Sequence, residues 1–353
     1  MLNNETKADN RQAGKVLLIY TGGTIGMGCN PKTQALEPLD FNHLIANLPE
    51  LNYVETKVDA YQFTSPIDSS DMAPRIWAQL VRIIDKNYDD YDGFVILHGT
   101  DTMAYTASAL SYMLENLTKP VILTGSQLPI GQPRTDGKEN LVTSLELASK
   151  YDADGHPVVP EVSIYFNGKL LRGNRTTKTS SDGFSAFESF NYPHLCDAGV
   201  EFTFHPHHIM CPDYLRPMIP HTALDPHIAI FSLFPGIQEN IVRQMLETPE
   251  LRGIVMRSFG SGNAPQQPWL MRLLKNASYR GVTIVNISQC VAGSVSMGRY
   301  DTGYQLKEAG VISGYDSTVE AAATKLMYLQ ALYSDSNIIR NQMNRSIAGE
   351  ITT

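Results

Sequence analysis

The sequence predicts an α/β fold with a mainly parallel sheet, on three observations. Short apolar runs alternate with amphipathic stretches along most of the chain, the order of strand and helix in such folds. The runs are bulky at every position, as in Val16-Leu17-Leu18-Ile19-Tyr20 and Phe94-Val95-Ile96-Leu97, which suits strands covered on both faces. Three of the runs end in glycine beside threonine, serine or aspartate, where a strand of a parallel sheet opens into a loop.

Taken in order, the first run predicts a strand ending in Thr21-Gly22-Gly23-Thr24. A helix is expected from Pro74, a residue suited to a first turn, with Asp71 as its cap. Its buried stripe is Ile76, Trp77, Leu80, Ile83 and Ile84, at 3.6-residue spacing. Tyr88-Asp89-Asp90-Tyr91-Asp92-Gly93 predicts a turn, and the strand 94–97 then runs into His98-Gly99-Thr100-Asp101. A helix is expected over 104–115, and Pro120-Val121-Ile122-Leu123-Thr124-Gly125 repeats the strand-into-glycine arrangement. Between 201 and 226 proline and histidine become dense and periodicity disappears, so a linker is expected there. Beyond it the alternation resumes, with strands over 228–234, 253–259 and 282–289 and helices over 239–246, 269–278 and 318–333.

A length of 353 residues suits two domains at roughly 150 residues each. The expected division is a polar tail over 1–14, an N-terminal domain over 15–200, the linker over 201–226 and a C-terminal α/β domain over 227–353. With 42% apolar and 18% charged residues the composition is that of an ordinary globular protein. A formal net charge of −8 opposes a nucleic-acid or anionic-membrane partner, since both need a concentrated basic face. Residues 1–15 have no apolar core and do not resemble a secretion signal, and no apolar run approaches the ~20 residues that span a bilayer. The four cysteines, Cys29, Cys196, Cys211 and Cys290, are widely spaced and suggest reduced thiols in a reducing compartment. His205, His207 and His208 lie among prolines without a second ligand group at metal-binding spacing, so a polar linker is expected and no metal.

The chemistry-bearing residues sit at the ends of three strands: Gly22-Gly23-Thr24, Gly99-Thr100-Asp101 and Gly125-Ser126. Any one cluster suits a turn or helix cap; three in register, each after a buried strand, point to a ligand site. The familiar cofactor templates fail. Residues 22–28 do not satisfy G-x-G-x-x-G in any frame, no Gly-Lys-Ser/Thr follows, and there is no G-x-S-x-G elbow. No cofactor is expected. A threonine nucleophile needs a base or a cation–carboxylate relay. Lys178, in Arg172-Gly173-Asn174-Arg175-Thr176-Thr177-Lys178, supplies one if it lies beside an aspartate; a solvated basic loop is the alternative.

Together the motifs resemble a known family. Tyr20-Thr21-Gly22-Gly23-Thr24-Ile25-Gly26-Met27 and Leu97-His98-Gly99-Thr100-Asp101-Thr102-Met103 are similar to the two signatures of the bacterial-type L-asparaginases. Asp68-Ser69-Ser70-Asp71-Met72, the 172–178 segment and Gly260-Ser261-Gly262-Asn263-Ala264-Pro265 extend the likeness, specifically to the cytoplasmic (type I) class. The resemblance implies a larger N-terminal domain, a smaller flavodoxin-like C-terminal domain, and a homodimer or homotetramer that hydrolyses L-asparagine. It implies that Thr24 is the nucleophile and that Thr100, Asp101 and Lys178 are the second threonine and its relay. Asp68 and Ser69, with Gly23 and Gly99 beside them, then grip the substrate. The family's loop tyrosine is missing from Asn30-Pro31-Lys32-Thr33-Gln34-Ala35-Leu36-Glu37-Pro38, so Tyr300 is the expected substitute. Thr177, Arg257, Asn263 and Cys290 match an effector site at which some members are activated by their own substrate. A glutaminase of broad specificity, a subunit of a tRNA-dependent amidotransferase and a non-catalytic amino-acid-binding protein are the alternatives.

Overall fold

The computed structural model describes residues 14–29, 36–38, 48–298 and 301–352, with the backbone alone at 29, 36–38, 52, 53, 301 and 302. Eight strands form the larger sheet: β1 (Lys15–Gly22), β2 (Lys57–Ile67), β3 (Gly93–Leu97), β4 (Val121–Thr124), β5 (Val162–Phe166), β6 (Lys169–Arg172), β7 (Cys196–Ala198) and β8 (Phe202–Phe204). Their spatial order is β8-β7-β6-β5-β4-β3-β1-β2. The pairs from β2 to β5 are parallel, and the pairs from β5 to β8 are antiparallel.

Strand β1 shows why its sequence is apolar at every position. Leu17 and Ile19 enter the core on one face, and Val16, Leu18 and Tyr20 enter it on the other. Helices α1 (Pro74–Lys86) and α2 (Met103–Met113) cover the first face, and α3 (Gly137–Ala148) covers the second. All five stripe residues of α1 are buried. Pro74 opens α1, but the cap is Ala73 and not Asp71. Asp71 lies two residues before the cap position and instead ends a 3-10 turn over Ser69–Asp71, its amide donating to Asp68 O at 2.9 Å.

The parallel part of the sheet has one switch point. The chain leaves β1 toward β2 on one side and leaves β3 toward β4 on the other, so the loops after β1 and β3 diverge. Their carboxyl ends bound a crevice, the place where open parallel sheets bind ligands.

The C-terminal domain has a four-stranded parallel sheet, β9 (Ile228–Ser232), β10 (Gly253–Ser258), β11 (Thr283–Ser288) and β12 (Val311–Ser313), in that spatial order. Helices α4 (Glu239–Leu246), α5 (Pro268–Tyr279) and α6 (Asp301–Glu308) cover one face. Helices α7 (Val319–Leu332) and α8 (Ser336–Met343) cover the other. Thr318 caps α7 by accepting from Ala321 N at 3.1 Å. The two domains share a core where α2 meets α7: the Tyr112 ring stacks on Tyr328 with centroids 6.1 Å apart, and its hydroxyl donates to Ala321 O.

Several elements were not foreseen. Strand β2 is largely exposed and half polar, which hides an edge strand from a search for apolar runs. The stretch 201–226 carries the edge strand β8, because Phe202 and Phe204 alternate with polar residues and pack against the core. Helices α3, α6 and α8 were likewise not expected.

Candidate active site

The site is built from backbone contacts that only glycine permits. Gly22 has φ of +132°, and a Cβ there would lie 2.3 Å from Ile67 O at the end of β2. Gly23 has φ of +92°, and its Cβ would lie 2.5 Å from Gly99 N, in the turn after β3. A Cβ on Gly99 would in turn lie 2.5 Å from Ser69 Oγ. Three turns therefore meet at the switch point. Thr24, Ser69 and Thr100, distant in sequence, become neighbours.

Thr24 opens a 3-10 turn over Thr24–Gly26, closed by Gly26 N donating to Gly23 O at 3.2 Å. Ile25 is buried beneath it, and Ile130 N donates to Ile25 O at 3.1 Å, so the turn is anchored while the Thr24 side chain stays half-buried. Thr100 is buried; its Oγ1 accepts from Lys178 Nζ at 2.8 Å and donates to Gln127 Oε1 at 3.3 Å. Lys178 Nζ also donates to Asp101 Oδ1 at 2.7 Å, bringing one cation onto both the hydroxyl and a carboxylate. The lysine side chain is 18% exposed and the aspartate 67%. This pair is thus open to solvent and its value lies in geometry more than in stability.

Asp68 Oδ1 accepts from both the amide and the hydroxyl of Ser70 at 2.9 Å. The Ser70 amide, then its hydroxyl, hold the Asp68 carboxyl below the usual carboxylate range. Thr102 Oγ1 donates to Ser69 O at 2.6 Å, tying this turn to the start of α2.

Beneath the site His98 is fully buried and pushed down to about 4, chiefly by desolvation. Its neutral form is satisfied at both nitrogens: Nδ1 lies 2.7 Å from Gly99 O, and Nε2 lies 2.8 Å from Thr106 Oγ1. Trp77 Nε1 donates to that same Thr106 oxygen at 2.9 Å. The Gly99 carbonyl can only accept, so Nδ1 carries the proton of the neutral ring; Nε2 is then the acceptor, and the Thr106 hydroxyl donates to it while accepting from Trp77. The chain Trp77–Thr106–His98 ends on the Gly99 carbonyl. In a trans peptide the N–H points opposite the C=O, so the same bond fixes the direction of the Thr100 amide.

Gln127 was missed by sequence reasoning, although it directly follows the Gly125-Ser126 cluster at the end of β4. Its amide and that of Leu128 donate to the Asp136 carboxylate, and its Nε2 donates to Gly183 O at 3.0 Å. It thereby links Thr100 to the loop beyond Lys178.

The effector-site candidates lie in the C-terminal domain and at its border. Arg257 is near the carboxyl end of β10, and Gln289 Nε2 donates to its carbonyl at 2.9 Å. Asn263 closes the following loop by two backbone bonds with Phe259. Cys290 is exposed, its amide donating to Ser288 Oγ. Thr177 Oγ1 donates to Glu320 Oε1 at 2.7 Å. Glu320, also missed by sequence reasoning, is buried in the first turn of α7, and desolvation raises its carboxyl above the usual range. Its Oε2 and Arg257 Nε are buried without hydrogen-bond partners among the described residues. Tyr300 lies outside the described residues, as do 30–35 of the loop after the first signature. Among the described residues no group of three or more His, Cys, Asp or Glu side chains is placed to hold a metal ion, and no helix is long and apolar enough to cross a membrane.

Hydroxyls and a lysine–aspartate pair gather at the switch point of an α/β sheet, where proteins of this class bind small molecules. Residues 15–209 match the family model for the asparaginase N-terminal domain, and residues 227–343 match that for the glutaminase/asparaginase C-terminal domain. The chain is 44% identical to L-asparaginase 1 of Escherichia coli (strain K12) over 351 residues, covering 97% of this chain and 99% of that one. It is 38% identical to a 60 kDa lysophospholipase of Mus musculus, covering 96% of this chain and 62% of that one. The crystal structure of L-asparaginase I from Vibrio cholerae superposes with a TM-score of 0.88 at 41% identity, covering 97% of this chain and all of that one. The chain belongs to the asparaginase family of amidohydrolases.

Proposed function

We propose that the protein hydrolyses L-asparagine to L-aspartate and ammonia, with Thr24 as nucleophile. The observation that carries the reading is Lys178 Nζ bonded to both Thr100 Oγ1 and Asp101 Oδ1, in the turn that touches Gly23 beside Thr24. In this reading Thr24 Oγ1 attacks the side-chain amide carbon and its proton passes to the departing nitrogen. The C–N bond breaks, ammonia leaves, and an ester remains on Thr24. Water, losing its proton to the Thr100–Lys178–Asp101 relay, then attacks the ester and returns a proton to Thr24 Oγ1. Peptide N–H groups around Gly23 and Thr100 are the donors for the developing oxyanion. Asp68 and Asp101 face the substrate ammonium, and the Ser69 hydroxyl faces its carboxylate.

The same reading assigns Thr177, Arg257, Asn263 and Cys290 to an effector site. The unpartnered Arg257 Nε and Glu320 Oε2 support it, because a zwitterionic amino acid offers a partner to each. Tyr300 is assigned the role of the missing loop tyrosine. The protein is taken to work as a homodimer or homotetramer in the cytoplasm, without cofactor.

Broad glutaminase activity is the second reading, because the C-terminal family model spans both substrates and one methylene separates them by about 1–3 kcal/mol. The test is the initial rate of ammonia release against asparagine concentration, with glutamine in parallel and Thr24→Val as control. A sigmoidal asparagine curve, little glutamine turnover and an inactive variant support the proposal. Thermal stabilisation by asparagine without turnover replaces it with a binding protein.

A further inference from the structure

We propose that the segment 346–352 is a clasp that positions Lys178, with Arg175 and Asn174 as positioning residues that transmit its hold; this rests on the reading of Lys178 given above. The problem it solves is local. Lys178 must meet two oxygens at once, yet it sits on a strand of two residues, Thr177–Lys178, whose ladder partner is another two-residue strand, Phe187–Glu188. So short a ladder cannot by itself fix a long side chain.

The residues just before it are held from the far end of the chain. Asn174 Nδ2 donates to Ala348 O at 2.7 Å, and Arg175 Nε donates to Gly349 O at 2.7 Å. Arg175 Nη2 donates to Thr352 Oγ1 at 3.0 Å. Arg175 Nη1 lies 2.9 Å from Asp316 Oδ2, at ion-pair distance though not aligned as a hydrogen bond. Asp316 also accepts from Thr352 N at 2.8 Å, closing a ring from guanidinium to carboxylate to tail. Both charged side chains are nearly excluded from water, at 2% and 9% exposed, where the ion pair compensates the buried charges and the planar guanidinium, bonded at Nε and Nη2, fixes direction.

The tail is shaped to do this. The Glu350 carboxylate accepts from the amides of Ile347 and Ala348 and pairs with the buried Lys325 at 2.5 Å. Gly349 has φ of +75°, and a Cβ there would lie 2.4 Å from Arg172 Nη1. A side chain at this position is strained by the backbone angle and would have to displace the buried Arg172 guanidinium. From Arg175 the path to Lys178 is three residues, with Thr176 Oγ1 tied to Arg172 O at 2.7 Å and Thr177 tied to Glu320.

A misplacement of about 1 Å in a catalytic group costs on the order of 100-fold. Gly349→Ala and Thr352→Val are therefore expected to lower kcat for asparagine by about 10- to 100-fold, with KM changed by less than about 3-fold. Thr352→Ser, which keeps the acceptor, is expected to stay near wild type. Lys178→Met serves as the reference, and in that background the tail substitutions should add no further loss, since they act through the missing group. Melting temperatures show which variants fold; if Gly349→Ala does not, the milder Thr352→Val decides. Folded tail variants with wild-type kcat, or with a further loss in the Lys178→Met background, overturn the clasp. A fully active Lys178→Met protein overturns instead the underlying reading of Lys178.

Discussion

His98 offers a pH test of the site's foundation. The side chain is buried, uncharged and pushed down to about 4 from an ordinary 6.5. Folding thus excludes a proton that the unfolded chain binds between those values. The contribution of neutral His98 to stability is fully present above pH 6.5 and is lost as pH falls toward about 4. The gap corresponds to about 3 kcal/mol, at roughly 1.4 kcal/mol per tenfold change in proton affinity. Many carboxylates titrate in the same range, so the measurement is a difference. Urea unfolding of wild type and His98→Gln can be followed by tryptophan fluorescence at pH 7, 6, 5 and 4. Trp77 is one of two tryptophans and donates into the same hydrogen-bond chain. The stability advantage of wild type over the variant should shrink by about 3 kcal/mol between pH 7 and 4. A constant difference across that range, or a ring that titrates near 6.5 by NMR, would refute the assignment of a neutral, doubly bonded histidine.

Other outcomes follow from the same structure. Gly23→Ala places a methyl 2.5 Å from Gly99 N at a positive φ, so it should cost about 2–5 kcal/mol of stability and most of the activity, measured by calorimetry and ammonia release. Lys325→Met leaves the Glu350 carboxylate buried without its cation and should destabilise by about 3–5 kcal/mol. Adding Glu350→Gln should recover part of that loss in a melting experiment. The Cys196 thiol is buried and pushed up to about 12 by desolvation, while Cys211 and Cys290 are exposed. Iodoacetamide should therefore modify the last two in the native protein and Cys196 only after unfolding, as read by peptide mass spectrometry.

Elements that announce themselves locally were legible from the sequence: the unbroken apolar run of β1, the 3.6-residue stripe of α1, and α7, expected over 318–333 and observed over Val319–Leu332. So were the glycine-threonine turns, because strand ends in a parallel sheet are where such residues gather. Residues whose role depends on a distant partner were not. Gln127 became visible only beside Thr100, and Glu320 only beside Thr177, 143 positions away. The polar strand β2 was hidden because an edge strand need not be apolar, and β8 because three residues are too few to show a period.

By itself the sequence determined the α/β class, the order of most strands and helices, and which hydroxyls, carboxylates and lysine were candidates, since each depends on residues a few positions apart. The tertiary structure decided which of them meet. Lys178 reaches Thr100 across 78 positions and Asn174 reaches Ala348 across 174. Contacts of that span are set by how two sheets and their shared helices pack, and no local pattern encodes the distance.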